Sequence, residues 1–265
     1  MQILPLSPSD LDLLPQIQPT DWTDIRIPIS SYLEPDYIFP FKAMIDGILV
    51  GTGTAILHEK TGWLATIVTH NDYRNQGIGK GITKFLLAFL QSHHCELIYL
   101  IATALGEPVY KKEGFITESH YDFYKDINLE NLIVSENVSP YQSEYKQEIF
   151  ELDKKVSGEN RYQHLETFLA DSFMYLQKGN IEGFYLPNLG DGLIVANTQE
   201  AGIELMKKRF QKFKIASFPQ ENKTAHDFME SYGYSPVMTH ARMHFQKPMH
   251  WKPDGLYNRV GGNIG

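Results

Sequence analysis

Cysteine is almost missing from this chain: Cys95 is the only one. A lone thiol excludes an intramolecular disulfide framework and suits a reducing compartment, so a cytoplasmic location is expected. Long apolar runs are missing too. The strongest, around Phe85 to Leu90, falls far short of the ~20 residues that span a bilayer, and no membrane partner is expected. The opening residues Met1 to Pro5 have no basic flank and soon meet Asp10 and Asp12, so no secretory leader is expected. Without secretion the sequons at Asn137 and Asn222 carry no weight. Positive charge is scarce, with 24 Lys and Arg against 32 Asp and Glu and a formal charge of −8. Phosphate contacts need clustered Lys and Arg, so no nucleic-acid partner is expected. One basic cluster, Lys207, Lys208, Arg209, Lys212 and Lys214, reads as a solvated helix face followed by a strand. Metal-ligand clusters are lacking as well. His93-His94-Cys95 sends adjacent side chains apart at a helix end, and no second cluster completes four ligands, so no metal is expected.

What remains is an ordinary globular composition, 42% hydrophobic and 21% charged over 265 residues, a length that suits two domains. The halves repeat one another. Phe41 to Gly51 reads as strand, Asp46-Gly47 turn, strand, and Phe173 to Gly183 repeats that frame with Gly179 at the turn. A third strand follows each hairpin, Gly62 to Val68 and Gly192 to Ala196. Helical patterns come next. Ile78, Ile82, Phe85, Leu86, Phe89 and Leu90 form one stripe, and a shorter pattern surrounds Ala201, Leu205 and Met206. Each half continues with a strand (Leu97 to Ile101; Phe213 to Phe218), a short helix, a Gly-aromatic pair (Gly114-Phe115; Gly233-Tyr234) and a final strand (Tyr121 to Tyr124; Met238 to Phe245). This matched order points to duplication. Ser135, Ser139 and Pro140 break the pattern between Asn128 and Tyr141, before a polar helix through Phe150 and Leu152. The domains are therefore expected at 1–130 and 131–265.

Arg74-Asn75-Gln76-Gly77-Ile78-Gly79 lies between a strand ending near Thr69 and the first amphipathic helix. Unpaired amides and the positive end of the helix dipole favour an anion there, and glycines let a diphosphate approach the backbone. Arg74 and Lys80 could add charge. Two familiar phosphate loops fail. Gly79-Lys80 is followed by Gly81 where Ser or Thr is needed, with Arg74 at the first glycine position, and Gly77-Ile78-Gly79 lacks the third glycine of a dinucleotide loop. The pattern left is [Arg/Gln]-x2-Gly-x-Gly.

In context, Thr69 to Gly79 resembles the V-x-P-x-Y-R-x-x-G-I-G stretch of GNAT-family acetyltransferases, and Tyr110-Lys111-Lys112-Glu113-Gly114-Phe115 resembles that family's Y-x-x-x-G-F. The likeness covers about residues 1–126. Asn71 replaces the usual Pro, Thr103 and Gly106 stand where many members have Asn and Ala, and Gly106-Glu107-Pro108-Val109-Tyr110 is similar to a subset with G-x-P-x-Y. The second half is similar to the C-terminal acetyltransferase-like domain of tandem GNAT proteins through Asp153, Gly158, Arg161, Ala241-Arg242-Met243 and the spacing Asn222-x2-Ala225-x7-Gly233-Tyr234. There Met229 stands in the place of Tyr110, and the glycine-rich helix start is missing, so that half should not hold a CoA diphosphate.

The resemblance implies an α/β fold of two consecutive GNAT-like units, each a mixed, mostly antiparallel twisted sheet flanked by helices. It implies an N-acetyltransferase that uses acetyl-CoA as cosubstrate, acts on the amine of a small molecule by direct transfer, and could pair as a homodimer. Arg74, Asn75, Gln76, Gly77, Ile78, Gly79, Lys80 and Gly81 would hold the diphosphate. Ile67, Val68 and Thr69 would lie along the pantetheine at the splayed strand end, their amides polarising the thioester carbonyl. Tyr110 would be the general acid, a phenol still protonated at neutral pH. The general base stays open among His70, Glu59 and a water chain. Tyr32, Tyr37 and Phe39, near Glu34 and Asp36, either frame a cationic amine or pack in the core. Two other functions stay open: a non-catalytic acyl-CoA sensor, and a protein or peptide N-acetyltransferase. The acceptor and the acyl length are not written in these motifs, because specificity sits in loops.

Overall fold

The computed structural model describes residues 1–20, 22 and 24–264. By packing, the chain divides into one unit of Met1–Ile116 with Met243–Pro248 and a second of Thr117–Arg242 with Met249–Gly265. The division thus falls at Ile116–Thr117 rather than at 130–131, and a segment far along the chain counts with the first unit.

The first unit carries strands β1 (Gln2–Pro5), β2 (Ile38–Ile45), β3 (Ile48–His58), β4 (Thr61–Thr69) and β5 (Leu97–Ala102), hydrogen-bonded in that order, with helices α1 (Arg26–Ser31), α2 (Ile78–Ser92) and α3 (Glu107–Lys112). β1 to β4 run antiparallel, and β4 pairs in parallel with β5. The β2–β3 hairpin closes at Asp46 (φ 48°) and Gly47 (φ 82°), the double positive φ of a tight two-residue turn. The apolar stripe of α2 is the one read from the sequence: Ile78, Ile82, Leu86 and Leu90 are buried. It rests on β3 where Gly51 and Gly53 bring Ile78, Ile82 and Leu86 against the strand. Trp63 and Tyr99, both fully buried, face each other across the parallel pair with ring centres 5.4 Å apart and planes tilted by 39°.

The second unit begins within β6 (Phe115–Tyr124) and contains β7 (Val138–Pro140), β8 (Phe173–Gln177), β9 (Asn180–Leu186), β10 (Leu193–Ala196), β11 (Ala216–Pro219), most of β12 (Met238–Phe245) and β13 (Leu256–Asn258). Helices α4 (Lys146–Ser157), α5 (Tyr162–Glu166), α6 (Gln199–Phe210) and α7 (Lys223–Ser231) flank them. One sheet runs β13-β10-β9-β8-β7, and β11 pairs antiparallel with β6. The expected repeat is visible in the second hairpin, whose turn again has two positive φ values, Lys178 at 52° and Gly179 at 80°. Arg209 departs from the solvated face expected of its cluster. It is buried, and its guanidinium donates to the carbonyls of Ile215 and Asp191.

Asp153 and Arg161, two of the residues that carried the weaker resemblance, form a buried bidentate pair with both contacts at 2.9 Å and side chains only 1% exposed. Burial alone would lower the guanidinium pKa, but attraction and hydrogen bonds from Asp153, with Glu159 behind it, outweigh that and raise it. Breaking such a pair strands a buried charge. Arg161→Ala should therefore destabilise the second unit by about 3–5 kcal/mol. Chemical denaturation followed by fluorescence would read this loss, and an unchanged midpoint would refute the structural role.

Candidate functional site

The chemistry expected of the first unit depends on where β4 and β5 part. Their parallel register runs through Thr61↔Leu97, Gly62↔Ile98, Trp63↔Tyr99 and Leu64↔Leu100 and then stops, although β4 continues to Thr69. On its other edge β4 carries one extra residue against β3: Thr52 faces Val68 while Thr54 faces Ala65. Thr66 takes φ 49° at this bulge, and the Thr52 hydroxyl donates to its carbonyl at 3.1 Å. A β-branched residue at positive φ is strained, and such bulges re-aim the backbone near functional sites. Beyond it, the His70 N–H bonds to the Val50 carbonyl at 2.9 Å. Strand amides alternate in direction, so those of Ile67 and Thr69 point away from β3, toward the side on which β5 has ended. Val68 points back into the sheet. Of the three residues expected along this strand, Ile67 and Thr69 therefore present amides and Val68 presents structure.

Both connecting helices begin at the same end. α2 follows β4 and α3 follows β5, so both start beyond the carboxyl ends of the parallel pair, where α/β proteins bind ligands. Gly77 is the N-cap of α2 at φ 83°, and a Cβ there would meet nothing within 4 Å. No side chain caps this helix. Its first intrahelical bond is Gly81 N–H to the Gly77 carbonyl, 2.9 Å. The amides of Gly77, Ile78, Gly79 and Lys80 precede that bond and are the orphan donors of the helix start. Gly81 was expected among the diphosphate ligands; its amide is spent inside the helix, so the turn has one donor fewer. Thr69 and Gly79 adjoin, since a Cβ on Gly79 would lie 3.4 Å from the Thr69 hydroxyl. Before the turn, Asn75 takes φ 61°, and the Gln76 side chain donates to the Asp72 carbonyl at 3.1 Å, holding the loop in shape. Arg74 is exposed. Lys80 is engaged elsewhere: its ammonium lies 2.9 Å from Glu113, which also meets Lys84 at 3.9 Å. That pair ties the end of α3 to the first turns of α2, a contact the sequence reading did not foresee.

Tyr110 lies on α3, its ring edge-on to Phe115 at 5.9 Å. Burial raises its phenol above the ordinary tyrosine value, which keeps the proton on the oxygen. The phenol oxygen forms no hydrogen bond with any described residue. Among the base candidates, His70 sits directly after Thr69 at the splayed end. Its Nδ1 accepts the Asp72 N–H at 3.2 Å, which leaves Nε2 for proton exchange. Glu59 is at the opposite end of β4, in the turn before Thr61, roughly 25 Å from Ile67 by strand rise. It is too far to serve. Phe39 is half-buried, packed on Phe89 at 5.0 Å and His93 at 5.8 Å, and Tyr32 is buried. Tyr37 lies 6.3 Å from His58. His93 is held by the Phe89 carbonyl at 2.8 Å, and among the described residues no group of three His, Cys, Asp or Glu is placed to hold a metal ion.

This geometry meets an independent finding. Residues 8–115, which lie within the first unit, match the model of the Acetyltransferase (GNAT) family. Solved structures extend the fold likeness to the whole chain. A candidate acetyltransferase from Pyrococcus horikoshii is 22% identical with a TM-score of 0.84, over 100% of this chain and 95% of that one. A GCN5-related N-acetyltransferase from Sphaerobacter thermophilus is 11% identical with a TM-score of 0.63, over 94% and 97%. A tandem GNAT protein from the clavulanic acid biosynthesis pathway is 12% identical with a TM-score of 0.61, over 94% and 99%. At these identities the likeness is one of fold. The search of curated proteins returns no match. No helix among the described residues is long and apolar enough to cross a membrane.

Proposed function

We propose that the first unit transfers an acetyl group from acetyl-CoA to the amine of a small molecule by direct attack. The observation that supports this best is the coincidence of two open sets of amides. Those of Ile67 and Thr69 line the splayed edge of β4, and those of Gly77 to Lys80 open α2 a few residues later. Acetyl-CoA supplies an activated thioester and a diphosphate, and each set suits one of these groups. The helix start, uncapped and clear of side chains at Gly77, fits the diphosphate. Donors on the β4 edge would stabilise charge developing on the carbonyl oxygen, an effect worth roughly 3 kcal/mol per donor where measured. Tyr110, protonated at working pH, would return a proton to the leaving sulfur, and His70 Nε2 is the placed group that could take one from the amine. The single buried cysteine fits a reducing cytoplasm.

A thiol-release screen tests the reading, with acetyl-CoA and longer acyl-CoAs against amino acids, polyamines, aminoglycosides and peptides. The chain adds little background to such an assay, because Cys95 is buried and its thiol is pushed up to about 11. A small amine should release CoA thiol well above the rate without acceptor. Faster release with peptides would move the function to protein acetylation. No release with any amine, together with tight acetyl-CoA binding, would make the protein a sensor.

A further inference from the structure

By chain order, β10 and β11 of the second unit answer to β4 and β5 of the first, and α6 and α7 to α2 and α3. In the first unit the gap beyond the paired strands is open on the β5 side. In the second, β10 and β11 belong to different sheets, and another strand separates them from the entry of β10 onward. β13 pairs antiparallel with β10 through Ile194↔Asn258 and Val195↔Leu256. Its other edge reaches β11, where Arg259 N–H donates to the Ser217 carbonyl at 2.8 Å and Ser217 N–H donates to Asn258 Oδ1 at 2.9 Å.

The side chains complete the seal. Asn258 Nδ2 donates to the carbonyls of Gly192 at 2.7 Å and Asp191 at 3.1 Å, at the entry to β10. Asn222, whose Oδ1 caps α7 by accepting from Ala225 N–H at 3.0 Å, donates its Nδ2 to the Leu256 carbonyl, also at 3.0 Å. Tyr257 lies against α6 at Gly202, close enough that any Cβ there would collide with its ring. Residues 255–261 are all buried, without the alternation of a strand that has one solvated face. The start of α6 differs from that of α2 as well, because the Thr198 hydroxyl accepts the Ala201 N–H at 3.3 Å.

We propose that residues 255–260 are a built-in occupant of the second unit's strand gap, which closes that unit to acyl-CoA and restricts the chain to one cosubstrate. The ladder, the Asn258 and Asn222 contacts and Tyr257 satisfy in cis the groups that a ligand of the gap would have to meet. The claim about cosubstrate number rests on the function proposed for the first unit, whereas the claim of occupancy does not.

Hydrogen–deuterium exchange on the full chain, with and without acetyl-CoA, tests both. Amides of Leu193–Ala196, Ala216–Phe218 and Tyr257–Arg259 should be protected without cosubstrate and unchanged on its addition, while those of residues 66–80 slow. In Asn258→Ala, β10 and β11 should exchange about tenfold faster or more, as expected when buried partners lose their bonds, with residues 66–80 unaffected. Rapid exchange of β10 and β11 in the wild-type chain, or added protection there with acetyl-CoA, overturns the occupancy; both are read on the wild type, whether or not the variant folds. Unaltered exchange in a folded Asn258→Ala also counts against it. If residues 66–80 fail to respond to acetyl-CoA, the first unit's function falls while the occupancy is judged on the apo pattern.

Discussion

Tyr110→Phe is expected to lower kcat by about 10²–10⁴-fold, the usual contribution of a positioned acid, with the Kd for acetyl-CoA changed by less than about twofold. The substitution removes one oxygen and keeps the ring, so the edge-on packing on Phe115 is preserved and no hydrogen bond to a described residue is lost. Stability should be untouched, which separates this experiment from ordinary core mutations. Because burial raises the phenol's pKa, the donor stays protonated across the range below its ordinary value near ~10. Any alkaline fall in rate below that pH belongs to another group and should persist in the variant. Steady-state kinetics beside calorimetric titration would decide the matter. Full activity in Tyr110→Phe would remove Tyr110 from the chemistry and leave it a packing residue.

The second large effect concerns binding. Gly77→Asp should raise the Kd for acetyl-CoA by about 100-fold, or ~2.7 kcal/mol, while the chain stays folded. Space is available, since a Cβ at Gly77 would meet nothing within 4 Å. The φ of 83° is a left-handed conformation that Asp tolerates better than most residues. What changes is the charge: a carboxylate is set before the amides that would face the diphosphate, and it can accept those amides itself. Calorimetry should show weak binding that strengthens little with salt, because part of the loss is competition for donors rather than long-range repulsion. Undiminished affinity would mean that the α2 start does not hold the diphosphate.

Much of this architecture could be read from the residues alone. Hairpin turns at Asp46-Gly47 and Lys178-Gly179, the α2 stripe and the order of elements in both halves all rest on local signals, namely positive-φ residues and hydrophobic periodicity. The glycine-rich helix start was legible for the same reason. Other features depend on pairing between distant segments. Nothing in Thr66 announces a bulge, because Thr is a poor choice for positive φ and the register of β3 against β4 sets it. Glu59 looked like a candidate base until the hairpin put it at the far end of β4. Lys80 looked free until Glu113 was brought to it from α3. Nothing local in Leu256–Asn258 announces a strand, which is visible only once β10 is in place.

One consequence concerns synthesis. Met243–Pro248 belongs to the first unit, where His244 faces Tyr99 at 6.1 Å and Phe245 faces Phe115 at 5.4 Å. A ribosome that has delivered the whole catalytic sequence has thus not delivered all the parts of the catalytic unit. Until residue 248 emerges, the nascent chain carries an apolar edge around Tyr99 and Phe115 without its cover, a condition that favours aggregation and chaperone engagement. Separate expression of the N-terminal segment as a minimal enzyme would make that transient state permanent.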